Sequence, residues 1–424
     1  MPKAEPNAEA GLLAAFAAPP QARNDRLAAV DVKWDQLPIF GKPGTIVSTT
    51  PMLGLKTERL EFANGVTALV SNNDIEPGKV RVNVRFGTGS RSVAADAPNL
   101  LWTGDYALTF SGVGPWGPQE LEQLTNGRQI GMNFGVEDDA FELSAETTPG
   151  DLADQMKLLA GKIAFPRWDN APVERLRVGM LTGYELNDAT PSAVLDRNLM
   201  GWLTNNDARW EAPDKAAISA LTLDSFRAFW EPRLAAGPIE IQMFGDMASV
   251  DYRKILSETF GALTVGKPLA PSSGQSVTFA KHNSTPALAY HRGDKGQAAA
   301  IIAWPTSGGP GNSRDARALE VLAGIFSDRL FDRLRAAQGA SYSPSVFSDW
   351  PQGFENSGGY VLAASLIAPK DIDRFYAITR EIAADLAANP VSADELGRSA
   401  APIYEQMARA TTGNWDAIII THDA

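Results

Sequence analysis

Cysteine is absent from the 424 residues, which excludes disulfides, thiolate metal sites, iron–sulfur clusters and cysteine nucleophiles together. Histidine is scarce. His282, His291 and His422 are the whole complement, and no two stand at the i, i+3 or i+4 spacing that puts two imidazoles on one helix face. A self-contained zinc site of that kind is not encoded. No apolar run approaches the roughly 18 to 20 residues of a membrane span; stretches such as 298–304 are far shorter. Positive charge is in deficit, 38 Lys and Arg against 50 Asp and Glu, and the net charge of −12 disfavours a nucleic-acid coat or an anionic-membrane binder. The opening MPKAEPNAEAGLLAAFAAPP carries Glu5 and Glu9 where a secretory signal is basic, and reads as a mature start.

What is present is an ordinary globular composition, 44% hydrophobic and 21% charged, in a length that allows roughly two to three domains. Residues 1–50 have Pro-rich breaks and no sustained period, as in an arm lying over a domain surface. From Leu60 the run LEFANGVTALV centres on Asn64-Gly65, a two-residue hairpin signal. Val80, Val82, Val84 and Phe86 alternate with Lys79, Arg81, Asn83 and Arg85, a half-buried strand. Leu152, Met156, Leu159 and Ile163 recur at helical spacing until Pro166 stops them. Helical signals run on through Leu223, Phe226 and Trp230, and Ile239, Ile241 and Met243 then alternate as a returning strand. KPLAPSSGQS, residues 267–276, is dense in Pro, Gly and Ser and marks the domain boundary.

Beyond it the programme repeats. A strand over 298–304 is followed by a long helix through Leu319, Leu322, Phe326, Leu330 and Leu334, strands near 342–347 and 360–367, and a helix through Phe375, Ile378, Ile382 and Leu386. After Asn389-Pro390, Ser392-x-x-Glu395 offers a capping box. The expectation is an α+β fold of two homologous two-layer domains, each a mostly antiparallel sheet with helices on one face. Their bounds are 1–50 for the arm, 51–266 for the first domain and 277–424 for the second, which ends early enough to lack part of its final sheet and helix.

HRGDKGQAAAIIAWPT followed by RLFDRLRAAQGASYSPSVF resembles the second-domain signature of the pitrilysin/insulinase family of zinc peptidases. NGVTALV with VRVNVRFGTGSR is similar to that family's domain opening, and WDQLPIFGKPGTI to the linker before the third domain of its long bacterial members. The family's zinc site is an H-x-x-E-H helix with a further Glu downstream, two imidazoles for the metal and a carboxylate to take a proton from its water. The corresponding stretch here, APNLLWTGDYAL, has no histidine, and Asp105 is its only acid. One carboxylate does not hold a catalytic zinc.

The family's other element, an Arg and a Tyr seven residues apart that grip substrate from the non-zinc half, is matched at Arg335 and Tyr342. A guanidinium supplies fixed donors to a peptide carbonyl, and a phenol can donate to the developing oxyanion. Without the resemblance, Arg335 reads as a cation offsetting a helix dipole and Tyr342 as an ordinary strand aromatic, with Gly339 turning the chain between them. The resemblance implies a chain without metal of its own that forms one wall of a peptidase chamber. Zinc would come from an H-x-x-E-H partner half, peptide would be the substrate, and the compartment would be the periplasm, otherwise the cytoplasm. The alternative is an inert scaffold or peptide-binding protein with a peptidase-derived fold.

The remaining polar clusters are read structurally. His282 and His291 flank the entry strand of the second domain as locally bonded histidines rather than ligands. Asp138, Asp139 and Glu142 form a solvated acidic face, not a cation site. GTGS, residues 87–90, is a turn and not a phosphate cradle. The ten tryptophans are assigned to packing.

Overall fold

The computed structural model describes residues 32–52, 57–94, 99–269, 279–280, 285–338, 344–351 and 358–412. Seven strands build the first sheet: β1 (Ile46–Pro51), β2 (Glu58–Phe62), β3 (Thr67–Asn72), β4 (Val80–Phe86), β5 (Asn133–Val136), β6 (Phe141–Thr147) and β7 (Ile239–Gly245). Their order is β1-β2-β3-β7-β4-β6-β5, and only β3 and β7 run parallel. β2 and β3 form the hairpin expected at Asn64-Gly65, where Gly65 takes a φ of +85° that a side chain would resist. β1 starts inside the stretch read as the arm, so the arm's end is an edge strand of the sheet.

Alternation decides which face is covered. Val80, Val82, Val84 and Phe86 of β4 and Ile239, Ile241 and Met243 of β7 are buried on one side. Arg81, Asn83, Arg85, Glu240 and Gln242 lie on the other, where register sets Arg85 beside both Glu142 and Glu240. The apolar face is covered by helices drawn from α1 (Gly104–Phe110), α2 (Pro118–Thr125), α3 (Leu152–Ala164), α4 (Asn170–Gly183), α5 (Pro191–Leu203), α6 (Lys215–Ala220), α7 (Leu223–Leu234) and α8 (Tyr252–Glu258). Leu152, Met156, Leu159 and Ile163 of α3 and Phe226, Trp230 and Leu234 of α7 meet the strands. Trp230 stands edge-on to Phe134 and Phe141, each at 5.2 Å between centroids. The arm docks on a smaller cluster, in which Leu37 packs with Val113, Trp116 and Leu158.

The second sheet has three antiparallel strands, β8 (Ala298–Thr306), β9 (Ser345–Asp349) and β10 (Gly359–Ile367), in the order β8-β10-β9. That order repeats β4-β6-β5 of the first sheet. Helices α9 (Ser313–Gln338), α10 (Ile372–Ala388) and α11 (Ala393–Thr412) accompany it, and Phe326, Leu330 and Leu334 of α9 with Phe375, Ile378 and Ile382 of α10 cover its first face. The strand expected near 342–347 is displaced. Pairing starts at Ser345, because Pro344 has no amide hydrogen to give to a ladder.

The expected capping box at α11 is formed: the Ser392 amide donates to Glu395 Oε2 at 3.1 Å and the Glu395 amide to Ser392 Oγ at 3.2 Å. Arg329 of α9 binds Asp385 of α10 at 2.6 Å and Glu395 of α11 at 2.7 Å, fastening three helices with one side chain. Arg329 and Ser392 together hold the Glu395 carboxyl down to about 2. Unlike the first sheet, the second is covered on part of both faces. Tyr360 and Leu362 point away from α9 yet are buried, and Tyr360 Oη meets Met200 Sδ of α5 at 3.9 Å.

Candidate substrate-contact site

The C-terminal turn of α9 presents Arg335. Leu334 faces the second core, and its neighbour Arg335 is turned outward and exposed, with the guanidinium 5.8 Å from the centre of the half-exposed Phe331 ring. The other arginines along this part of the helix are committed, Arg329 as above and Arg333 to Glu381. Arg335 has no ion pair among the described residues. Its position also lets it offset the helix dipole, so the two sequence-based readings are compatible. Tyr342 and Gly339 lie outside the described residues. Beyond them β9 is an edge strand pinned to α9, the Val346 amide donating to Ser327 Oγ at 3.3 Å, and it leaves Phe347 half exposed.

The stretch matched to the zinc helix is built for packing. A Cβ on Gly104 would come within 2.5 Å of Phe134 and 2.6 Å of Trp230, so the helix lies directly on the aromatic cluster. Trp230 Nε1 donates to Thr103 Oγ1 at 2.9 Å just before it. At its other end Lys162 reaches from α3, 6% exposed, and its ammonium donates to the carbonyls of Leu108, Thr109 and Ser111 at 2.8, 3.0 and 2.6 Å. These are the carbonyls that a helix C-terminus leaves open. Burial pushes Lys162 down to about 7, against the opposing pull of Asp169. Asp105 is exposed in the first turn of this helix, and among the described residues no three His, Asp or Glu side chains group to hold a metal. The arrangement anchors α1. In the sequence Lys162 is one of two lysines in α3, the one set among Leu158, Leu159 and Ile163.

The acidic cluster differs from the solvated face expected of it. Asp139 pairs with Arg85 at 2.8 Å, and Asp138 is partly buried. Burial, then the charges of Glu137, Asp139 and Asp349 of β9, push the Asp138 carboxyl up to about 6 against the opposing pull of Arg209. A folded-state value above the unfolded one means that the native state holds the extra proton between about pH 4 and 6, and stability falls as pH rises through that window. Asp138→Asn is therefore expected to stabilise the protein by about 2 kcal/mol at pH 8 and by nothing measurable at pH 4, read as urea midpoints at the two pH values. Equal gains at both would remove the titration from the explanation.

The sequence did not single out Asp207 and Arg209. After α5 the chain turns through Asn205 and Asn206, both in the left-handed region at φ of 57° and 59°, and drops this pair into the interior. Arg209 Nε and Nη2 bind the two Asp207 carboxylate oxygens at 2.9 and 2.5 Å. Arg209 also stacks at 4.7 Å from the Trp210 ring centre.

With the geometry described, comparison with known proteins places much of the chain. Residues 220–401, from just before α7 into α11, match the family model of the peptidase M16 inactive domain. That match covers less than half of the chain. Several M16-type proteases share its fold. A mutant of the ferredoxin protease FusC, solved in complex with Arabidopsis ferredoxin, aligns over 99% of this chain and 45% of its own at 16% identity and a TM-score of 0.73. The periplasmic protease PqqL from Escherichia coli aligns over 95% of this chain and 45% of its own, at 17% identity and a TM-score of 0.75. A peptidase M16 inactive domain from Pseudomonas fluorescens aligns over 84% of both chains at 19% identity, with a TM-score of 0.66. The chain spans less than half the length of the two proteases. At these identities the likeness is one of fold. No curated protein matches the chain. The M16 inactive domain is the half without zinc, and α1 lies outside the matched residues.

Proposed function

We propose that this chain is the non-zinc half of a zinc-dependent peptidase, forming one wall of its chamber and binding peptide through Arg335 and Tyr342. The observation that supports the reading most is the outward guanidinium of Arg335, without an ion pair among the described residues, at the end of a helix whose neighbouring arginines are bound to carboxylates, in the segment that matches an M16 inactive domain. The guanidinium holds a substrate carbonyl with two donors in one plane, while the phenol of Tyr342 donates to the oxygen that gains charge during attack. Zinc, its H-x-x-E-H ligands and the carboxylate that takes the proton belong to the partner half. The net charge of −12 favours basic or unfolded peptides at the wall.

No helix among the described residues is long and apolar enough to cross a membrane, and the likeness to a periplasmic protease supports a periplasmic location. Mixing the purified chain with an H-x-x-E-H half is expected to produce peptide cleavage that neither component gives alone. The inert scaffold or peptide-binding reading draws on the packed α1 and predicts no cleavage in the mixture.

A further inference from the structure

Asn-Gly occurs twice in the chain, at Asn64-Gly65 and at Asn126-Gly127, and the two are held in opposite ways. The dipeptide carries its own chemistry, because a glycine amide nitrogen, unshielded by a side chain, can attack the Cγ of the asparagine before it. In the β2–β3 hairpin the atoms of that reaction are tied. Asn64 Nδ2 donates to the carbonyls of Phe260 and Leu263 at 2.9 and 3.0 Å, Asn64 Oδ1 accepts from the Val66 amide at 3.2 Å, and the Gly65 amide donates to the Phe62 carbonyl at 2.9 Å. After α2 the Thr125 carbonyl accepts from the Arg128 amide at 3.0 Å, closing a turn around Asn126 and Gly127. Asn126 has φ −60° and ψ 127° and Gly127 a φ of +73°, the type II geometry that favours glycine there. Both residues are exposed, and apart from its chain neighbours no atom lies within 4 Å of where a Gly127 Cβ would stand. Neither the Asn126 side chain nor the Gly127 amide has a hydrogen-bond partner among the described residues. The flanks are fixed, by the Asn126 amide on the Glu122 carbonyl at 3.0 Å and by Arg128 on Asp151 and Asp154 at 2.8 Å each, so the freedom is confined to the dipeptide.

We propose that Asn126 is a site of spontaneous covalent modification, converting through a succinimide to aspartate and isoaspartate with water as the co-reactant, and that the fold withholds Asn64 from the same reaction. Hydroxide takes the Gly127 amide proton, the nitrogen forms a bond to Asn126 Cγ, and the Cγ–Nδ2 bond breaks to release ammonia, which takes its proton from water. Water then opens the ring at either carbonyl, and nothing is oxidised or reduced. Both products place a carboxylate just past the C-terminus of α2, where the helix dipole opposes it. Isoaspartate also routes the backbone through an added methylene, which opens the hydrogen bond between Thr125 and Arg128. The inference does not depend on Arg335 or on a peptidase partner.

The test is prolonged incubation of the full chain in mildly alkaline buffer, followed by peptide mass mapping with fragmentation that places each change on a residue. A gain of about 1 Da, as an amide becomes an acid, is expected at Asn126. It should accumulate about tenfold or more faster than at Asn64, whose reaction waits for the hairpin to open. In urea, where the fold restrains neither dipeptide, the two rates should converge. Asn126→Gln, whose longer side chain has to close a larger ring, should abolish the gain at residue 126 and leave Asn64 as it was. Hydrogen exchange at the Arg128 amide should quicken about tenfold in the isoaspartate form. Equal rates at the two asparagines in the folded chain, no gain at Asn126, rates that stay apart in urea, or an Arg128 amide that ignores the conversion would each overturn the proposal.

Discussion

Replacing Arg335 with Ala is expected to lower peptide turnover by the reconstituted pair about 100-fold, the scale on which a single transition-state donor acts. The loss should fall on function and not on folding. Arg335 is exposed and has no ion pair among the described residues, so removing it should leave stability within about 0.5 kcal/mol. Arg335→Lys should recover only part of the activity, because an ammonium keeps the charge but not the planar pair of donors. Tyr342→Phe should depress kcat more than it raises KM, since a phenol that meets the oxyanion contributes only as charge develops. Wild-type cleavage by both variants would remove the proposed clamp.

The largest expected effect on stability is at Asp207. Asp207→Ala leaves the Arg209 guanidinium, 1% exposed, without its carboxylate, and breaking a buried pair in this way costs about 3–5 kcal/mol. One Arg209 nitrogen, Nη1, already has no hydrogen-bond partner among the described residues, which leaves the Asp207 carboxylate as the group that satisfies its fork. Removing both charges with Asp207→Ala and Arg209→Leu should restore much of the loss, since the penalty comes from the orphaned charge and not from the missing bond. Urea denaturation of the two single variants and the double variant gives the coupling directly. A single-variant loss below about 1 kcal/mol would mean that water reaches Arg209.

Local periodicity made most of the fold legible. β4 came from strict alternation, and α3 from a four-residue apolar stripe with a terminal Pro. The Ser392 and Glu395 box came from its spacing alone. The candidate site was legible in type more than in place. Arg335 was picked out through its surroundings, yet its exposure depends on which carboxylates α10 and α11 bring to Arg329 and Arg333 instead. The groups missed are those whose roles arise from distant segments. Lys162 meets carbonyls more than 50 residues away, and Asp138 is influenced by Asp349 of the other sheet. No window of sequence contains those relations. The start of β9 is set locally, because Pro344 has no amide to give to the ladder and pairing begins at Ser345.

The division of labour between a gripping half and a metal-bearing half is tested most directly by zinc titration calorimetry on the purified chain, with peptide hydrolysis assayed in the same sample. The account predicts no stoichiometric zinc binding and no cleavage by the chain alone, with both appearing once an H-x-x-E-H half is added. One tightly bound zinc per isolated chain, accompanied by hydrolysis, would contradict it.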